Sequence, residues 1–286
     1  MKPIIRKVLT HEFRLAADLM NSVYARKKQS DYFLWQYSHT PFPAALYGAF
    51  LGKKLIGMIG IQFRSLNNNA QLGLIMDIVV DEKYRSKGIF SLLAYHLIKK
   101  HNDLDGFCSF TNTLGMKVCV NKLGWKQVMK IDMKTLNMLK QNKRKSLSRN
   151  LRSKNQVGFL YNKEVLKWRF ESAPHYTYDT IKSGKSFAKV KLFTDPTTQL
   201  VYGDIVYLSH QNMSLRPILE YFKKKYVQKI TSWALPHTRL FTKLKEKGFT
   251  SKPTERYFCL KINNPKYNDL YSVHTWNVFQ ADSDVF

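Results

Sequence analysis

The chain has 286 residues, of which 44% are apolar, so it can build one large core or two ordinary ones. Its longest apolar runs, such as residues 72–80, are far shorter than the ~20 residues of a membrane span, and no apolar segment follows the first residues. We therefore expect a soluble, unexported, cytoplasmic protein. Wide spacings of Cys108, Cys119 and Cys259 exclude a disulfide framework and a Cys-x-x-Cys zinc site, so reduced core cysteines are expected.

The charge is strongly basic, with 47 Lys and Arg against 20 Asp and Glu, a formal net charge of +27. Such a balance favours anionic partners, among them nucleotides, nucleic acid or an acidic membrane surface. The alternative is that scattered lysines only solvate the surface. No helix-turn-helix or RNA-binding signature accompanies the charge, which argues against nucleic acid.

The first recognisable secondary-structure patterns in the chain are those of β-strands. Apolar runs at residues 45–50 and 55–63 flank Gly52-Lys53-Lys54 and predict a β-hairpin. Residues 64–70 are polar and predict a turn. Residues 71–80 form a nearly continuous apolar run, which predicts a buried strand.

Helical patterns follow this strand. Apolar residues recur at helical spacing over residues 88–100, which end in two lysines and a histidine, as a helix C-terminus should. Residues 106–110 predict a short strand, and residues 114–123 a second helix that ends at Gly124. The alternation of strands and helices predicts an α/β fold.

Three short patterns occur twice and in the same order, as DYFLWQYSHTP and EVLKWRFESAP, MDIVV and GDIVY, and NKLGW and KEKGF. The pairs align Trp35 with Trp168, Asp77 with Asp204 and Gly124 with Gly248. Duplication of a unit of about 130 residues explains the shared order. We predict an N-terminal domain over residues 1–140, a basic linker over 141–156 and a C-terminal domain over 157–286. The linker is either solvated or contacts an anionic membrane surface or polymer.

The stretch with the clearest chemistry is residues 78–93, IVVDEKYRSKGIFSLL, which reads as a buried strand, a short basic loop and a helix. Backbone N–H groups at such a helix start converge on one point, and together with Arg85 and Lys87 they suit a pyrophosphate. Gly88 permits a close backbone approach or a positive φ angle.

This stretch resembles the coenzyme A loop of the GNAT acyltransferase superfamily, Arg/Gln-x-x-Gly-x-Gly/Ala, at Arg85 and Gly88. It departs from that pattern at Phe90, where the family has a small residue. Residues 111–112 and 121–125 resemble the second coenzyme segment of the family. The resemblance covers residues 1–140 well and the rest of the chain only through the repeat.

The resemblance implies two tandem GNAT-like domains, each a mixed twisted sheet flanked by helices, and acetyl-CoA or another acyl-CoA as donor without a metal. It also implies two central strands that splay apart to admit the pantetheine arm. The coenzyme-binding residues that it implies are Ile78, Val79, Val80, Arg85, Ser86, Lys87, Gly88, Ile89, Phe90, Ser91 and Asn112. The matching loop of the second half, residues 209–214, has no Gly, Arg or Lys, so we expect that half to have lost coenzyme binding and to complete the acceptor pocket.

Many GNAT members use as general acid a tyrosine four residues before the glycine of the second segment, but Val120 stands there. Tyr95, Tyr37 or a water must then replace it, or protonation does not limit the rate. Asp77 is the first candidate for a general base or for the anchor of a water chain. Its alignment with Asp204 favours the alternative of a structural hydrogen bond to a bulge.

Further candidates lie outside these motifs. Asp282 and Asp284 stand among apolar residues near the C-terminus and either hold an ammonium group of the acceptor or pair with lysines. The repeated Trp35 and Trp168 indicate a packing element. The histidines show neither metal-ligand spacing nor a Ser-His-Asp signature.

These features together predict an N-acyltransferase that moves an acetyl or other acyl group from coenzyme A to a small amine. The resemblance extends to tandem proteins of surface polysaccharide synthesis, which makes an amino sugar a candidate acceptor. Two alternatives stay open: a Fem-type aminoacyltransferase that uses aminoacyl-tRNA, and a non-catalytic protein that binds acyl-CoA or an acidic polymer.

Overall fold

The computed structural model describes residues 2–24, 27–138 and 156–283. Its strands and helices follow one another as β1 (Ile4–Lys7), α1 (Phe13–Val23), α2 (Ser30–Tyr37), β2 (Ala44–Leu51), β3 (Lys54–Ser65), β4 (Gln71–Val80), α3 (Ile89–Lys100), β5 (Gly106–Thr111), α4 (Thr113–Leu123), β6 (Lys126–Lys130), β7 (Met133–Asn137), α5 (Lys163–Phe170), β8 (Asp179–Ser183), β9 (Ser186–Thr194), β10 (Val201–Leu208), α6 (Arg216–Lys224), β11 (Lys229–Trp233), α7 (Arg239–Glu246), β12 (Thr250–Lys252) and β13 (Tyr257–Ile262). The chain is thus α/β, as predicted.

The local predictions for the first half are confirmed with one exception. The hairpin, the strand over residues 71–80 and both helices are present, and Gly124 ends α4 with a φ of +69°. The polar run predicts a turn from residue 64 onward, but β3 extends through Ser65. Arg64 instead continues β3 and is buried.

The first compact unit is built on a seven-stranded mixed sheet in the order β1-β2-β3-β4-β5-β13-β6. On one face, Met58 and Val79 belong to a core that includes α1 and α2. On the other face, Ile61 and Ile75 pack in a core with Leu93 of α3. β4 and β5, at the centre of the sheet, pair in parallel.

The second compact unit repeats this arrangement with six strands in the order β12-β7-β11-β10-β9-β8. Its parallel pair is β10 and β11, and its core includes residues of α6 and α7. The order of strands matches the first unit if β10 and β11 correspond to β4 and β5. Two mixed sheets flanked by helices therefore confirm the predicted pair of GNAT-like folds.

The two units interleave along the chain, whereas the predicted domains are continuous segments. The first unit comprises Met1–Val128, Phe159–His175 and Tyr257–Tyr271, and the second comprises Met129–Gly158, Tyr176–Arg256 and Ser272–Phe286. The reason is an exchange of strands, because β7 pairs with β11 and β13 pairs with β5. The predicted linker, except Gln156, lies outside the described residues.

The repeated tryptophans form a packing element, as predicted, and both belong to the first unit. The indole rings of Trp35 in α2 and Trp168 in α5 stack at a centroid distance of 4.7 Å. Each indole N–H donates to the backbone carbonyl of the other tryptophan, at 2.9 Å in both directions. The two repeats of the same sequence pattern thus meet as a nearly symmetric pair.

Because of this reciprocity, Trp35→Phe and Trp168→Phe should each lower the free energy of unfolding by about 1–3 kcal/mol, since each leaves a buried carbonyl without its donor. Urea unfolding at neutral pH measures both. Trp125→Phe is the matched control, because the buried indole nitrogen of Trp125 has no hydrogen-bond partner and only apolar area is lost. A cost for the control equal to the other two would contradict the assigned role of the hydrogen bonds.

The three cysteines lie in the core, as predicted. Cys108, Cys119 and Cys259 are buried and free of disulfides. Burial raises the pKa of the Cys119 thiol to about 12, so it stays protonated at neutral pH. In the part of the chain that the structure describes, no helix is both long and apolar enough to span a membrane.

Candidate active site

The two parallel strands of the first unit separate partway along their length. β4 and β5 pair from Leu72 with Gly106 to Leu74 with Cys108, and the ladder ends there. The Ser109 hydroxyl then donates to the Ile75 carbonyl at 3.0 Å. Beyond Ile75, no described strand pairs with β4 on the side away from β3, and at the end of the strand the Val80 carbonyl accepts the Arg85 Nε–H at 3.3 Å.

A β-bulge lies where the strands separate. Met76 pairs with Gly60 and Val79 with Met58, so Asp77 and Ile78 together oppose a single residue of β3. Asp77 adopts a φ of +48°, a left-handed conformation that aspartate tolerates better than most residues. The bulge therefore sets the direction of the Asp77 side chain.

The Asp77 carboxylate is held by two tyrosines of α2. Tyr37 donates its hydroxyl to one carboxylate oxygen at 2.6 Å, and Tyr32 donates to the other at 3.0 Å. Asp77 is only 8% exposed, and both tyrosines are buried. Hydrogen bonds to an ionised carboxylate are short and strong, so they fix its position.

The basic loop that follows β4 turns sharply into α3. Gly88 is the N-cap of that helix with a φ of +77°, and Ser86 also has a positive φ of +63°. The first N–H groups of α3 have no acceptor within the helix. A Cβ atom at Gly88 would meet nothing within 4 Å, so the turn is open on the side to which a side chain would point.

Charged contacts fix the start of this loop. Lys54 lies 2.8 Å from the carboxylate of Asp81, whose other oxygen accepts the Lys83 N–H at 3.0 Å. These contacts lower the pKa of Asp81, with the Lys54 hydrogen bond as the largest cause. Arg85 and Lys87 are exposed in this loop, and their charges suit a diphosphate. Arg85 also pairs with Glu82 at 3.1 Å, and its Nε donates to the Val80 carbonyl at 3.3 Å.

The other predicted coenzyme residues surround this opening or support it. Val79 and Ile89 are buried and anchor the strand and the helix in the core, while Ile78, Val80, Phe90 and Ser91 are half-buried. Asn112 caps α4, and its amide oxygen accepts the Gly115 N–H at 2.9 Å. Which of these residues touch a coenzyme stays a prediction.

Residues 9–115, which hold the bulge, the loop and the open strand, match the model of the acetyltransferase (GNAT) family. This part of the chain is a GNAT-family domain. A comparison with curated proteins found no significant match.

Solved structures extend the likeness to the whole fold. A conserved Enterococcus faecalis protein of unknown function, described as a probable N-acyltransferase, has a TM-score of 0.64 and 11% identity, covering 92% of this chain and 73% of that one. A GCN5-related N-acetyltransferase of Kribbella flavida has a TM-score of 0.60 and 10% identity, covering 92% and 72%. A candidate acetyltransferase of Pyrococcus horikoshii has a TM-score of 0.58 and 12% identity, covering 92% and 90%. Identities this low establish the fold alone.

Within the GNAT domain, the two candidate acids differ in their surroundings. Tyr37 contacts Asp77 at the bulge. Tyr95, on α3, is 56% exposed and donates its hydroxyl to the Lys122 carbonyl of α4 at 2.9 Å. This hydrogen bond links α3 to α4. The described contacts of Asp77 do not include Tyr95, so the catalytic role of Tyr95 stays a prediction. Tyr32, the second donor to Asp77, was not predicted.

The pairing of strands shows that the sequence alignment of Asp77 with Asp204 is wrong by three positions. The Ser232 hydroxyl donates to the Ile205 carbonyl at 3.2 Å, as Ser109 does to Ile75 in the GNAT domain. If these two bonds are equivalent, Ile75 corresponds to Ile205, Leu74 to Asp204 and Asp77 to Tyr207. Asp204 pairs instead with Thr231 in the sheet and bonds to its hydroxyl. The argument that Asp77 is structural because Asp204 matches it therefore fails.

The helix start in the second unit differs from that of the GNAT domain. α6 has Pro217 in its first turn, which removes one backbone N–H from the end of the helix. The preceding loop bonds to itself, since the Asn212 N–H donates to the His210 ring and the Met213 N–H to the His210 carbonyl. These features support the expectation that this half does not bind a coenzyme.

Of the two candidate carboxylates near the C-terminus, Asp282 is among the described residues. Asp282 is buried, and one of its oxygens accepts the Phe279 N–H at 2.7 Å. Burial first, and the charge of Asp282 second, raise the pKa of Tyr207 to about 12. Asp282 thus has a structural hydrogen bond, and its role toward a substrate stays a prediction. Asp284 lies outside the described residues.

Among the residues that the structure describes, no three His, Cys, Asp or Glu side chains are grouped as metal ligands.

Proposed function

We propose that this protein transfers an acyl group, by default acetyl, from coenzyme A to an amine, and that its first unit binds the donor. The observation that carries the proposal is the end of the β4–β5 ladder after Leu74, on the strand that leads directly to the Gly88 turn. A GNAT-family domain with this opening provides both an edge for an extended arm and a helix end for phosphates.

Two parts of the first unit bind different parts of the donor: the β4 backbone binds the pantetheine arm, and the start of α3 binds the pyrophosphate. The backbone of β4 near Ile78 to Val80 pairs with the pantetheine arm as an added strand once Arg85 turns from the Val80 carbonyl to the phosphates. The N–H groups at the start of α3, with Arg85 and Lys87, bind the pyrophosphate. When bound, the coenzyme supplies an acyl thioester.

Asp77 is the proposed general base. An amine acceptor carries a proton at neutral pH and cannot attack a carbonyl until it loses that proton. The Asp77 carboxylate takes it, directly or through a water, while Tyr32 and Tyr37 keep the carboxylate in place. The departing thiolate needs a proton in turn, and the Tyr37 hydroxyl beside the base is the proposed source.

Isothermal titration with acetyl-CoA at two salt concentrations tests donor binding. Salt screens general attraction to a basic surface more than it weakens a specific site, so one-to-one binding that survives high salt supports the proposal. Binding that salt abolishes, or no binding, would contradict it. Release of free thiol in the presence of mixed amines then shows whether the bound donor is turned over.

The kind of amine is a separate question. The amino-sugar acceptor rests on the resemblance alone and stays a hypothesis.

A further inference from the structure

A buried arginine of the GNAT domain has no partner for one side of its guanidinium group. Arg64, near the end of β3, is 2% exposed, and its Nε and Nη2 atoms have no hydrogen-bond acceptor. No salt bridge found among the described residues includes it. A buried charge without a partner destabilises the fold, so its presence calls for a ligand.

The unpaired atoms have a geometry that selects the ligand. Nε and Nη2 form one edge of the planar guanidinium, and their two parallel N–H bonds match the two oxygens of a carboxylate. The faces of the group are occupied by aromatic rings. The guanidinium carbon lies 4.6 Å from the Phe42 ring centroid, 5.1 Å from that of Phe159 and 5.6 Å from that of Tyr161. The rings hold the group without satisfying its edge.

The rings that surround Arg64 come from two parts of the first unit. The Leu160 N–H donates to the Ser65 carbonyl at 2.9 Å, which places the segment before α5 along the end of β3. Phe42 in turn contacts Trp168 of α5 edge-on, at a centroid distance of 5.5 Å. The second repeat therefore contributes part of the surroundings of Arg64.

Polar groups continue from Arg64 toward the bulge on the same face of β3. Gln62 donates its amide to the Gln36 carbonyl at 3.0 Å, and the side-chain oxygens of both glutamines are buried without a donor. Farther along, a Cβ atom at Gly60 would lie 1.8 Å from the Tyr37 hydroxyl, which bonds to Asp77. This face thus carries unpaired donors at one end, unpaired acceptors in the middle and a carboxylate at the other end.

We propose that the Nε–Nη2 edge of Arg64 binds the carboxylate of the amine acceptor, an inference that rests on the proposed function. Arg64 and Gly60 are four residues apart on an extended strand, about 13 Å. An acceptor that reaches both Arg64 and Asp77 is therefore extended, with its carboxylate and its reacting amine at opposite ends. The glutamine oxygens accept N–H groups between those ends. Entry requires Phe42 and Tyr161, both partly exposed, to move aside.

The first test compares amines that differ only in a carboxylate: 6-aminohexanoate with hexylamine, and L-lysine with cadaverine. Transfer from acetyl-CoA should favour the carboxylate member of each pair by about 100-fold in kcat/KM, chiefly through KM. Arg64→Met should remove this preference, and Arg64→Lys should retain only part of it because a lysine lacks the planar fork. Equal use of both members by the unaltered protein would overturn the proposal.

The second test measures binding without acetyl-CoA, so it remains informative if the transferase function fails. 6-Aminohexanoate should raise the Tm of the unaltered protein and leave that of Arg64→Met unchanged. Without ligand, Arg64→Met should be at least as stable as the unaltered protein, because the substitution removes an unpaired charge. Arg6→Met, which alters an arginine paired with Glu12 near the surface, should keep the ligand response.

Either of two results in this second test would contradict the proposal. Equal stabilisation by acetate or phosphate would indicate a site for any small anion instead of an acceptor carboxylate. A lower Tm for Arg64→Met together with an unchanged response to 6-aminohexanoate would make Arg64 a structural residue.

Discussion

Gly88→Glu should weaken the binding of acetyl-CoA by about 1,000-fold. The new carboxylate would stand at the start of α3, beside the proposed pyrophosphate site, and two like charges about 4 Å apart repel by about 4 kcal/mol at an effective dielectric constant of 20. A side chain at a φ of +77° also strains the backbone by about 1 kcal/mol. Isothermal titration gives the affinity, and circular dichroism shows whether the fold is kept.

Two further variants separate charge from strain in this prediction. Gly88→Ala carries the same backbone strain without the charge, and its Cβ meets nothing within 4 Å, so it should keep most of the affinity. Gly184→Glu places the same side chain at another open glycine of positive φ, in the β8–β9 turn of the second unit, and should bind acetyl-CoA normally. If Gly88→Glu binds as the unaltered protein does, the loop is not the phosphate site.

The donor loop could be predicted from sequence because each of its features is local. A continuous apolar run predicts the buried strand β4, and the spacing after Gly88 predicts α3. A glycine at a strand-to-helix turn predicts the positive φ that the structure shows. These signals lie within residues 71–100 and do not depend on which other strands join the sheet.

The exchange of β7 and β13 could not be predicted, because the partner of a strand is a long-range property. The sequences of the two strands, MKTLN and YFCLKI, do not specify which of two similar sheets they join. The same limit produced the wrong alignment of Asp204 with Asp77. The shared residues of MDIVV and GDIVY favour an alignment of Asp77 with Asp204. The pairing of the strands and the positions of their bulges favour a different one.

Buried polar residues were missed for a related reason. Arg64 stands next to a polar stretch and was assigned to a turn, since a charged residue seldom lies inside a protein. Its burial depends on Phe159 and Tyr161, which are almost one hundred residues later in the chain. Tyr32 lies inside the repeated segment but aligns with Val165 in the second copy, so the repeat gives no signal for its hydrogen bond to Asp77.

Asp77→Asn should lower kcat by about 100- to 1,000-fold while the affinity for acetyl-CoA stays unchanged. Asparagine has nearly the same shape and also tolerates the φ of +48° at the bulge, so the backbone should keep its conformation. Its side-chain oxygen still accepts one tyrosine hydroxyl, but the amide cannot take a proton from an ammonium group. Steady-state kinetics with a saturating amine and titration with acetyl-CoA measure the two quantities separately.

Asp204→Asn is the matched control for this prediction, because it alters the buried aspartate that the sequence repeat aligns with Asp77. If the pairing of strands is the correct guide, Asp204→Asn should reduce stability through its contact with Thr231 and leave kcat nearly unchanged. Tyr32→Phe removes one donor to Asp77 and should lower kcat less than Asp77→Asn does, since the base remains. Tyr37→Phe removes the other donor and also the proposed proton source for the thiolate, so it should lower kcat more than Tyr32→Phe does. A kcat of Asp77→Asn within about threefold of the unaltered protein would exclude Asp77 as the base and restore its structural interpretation.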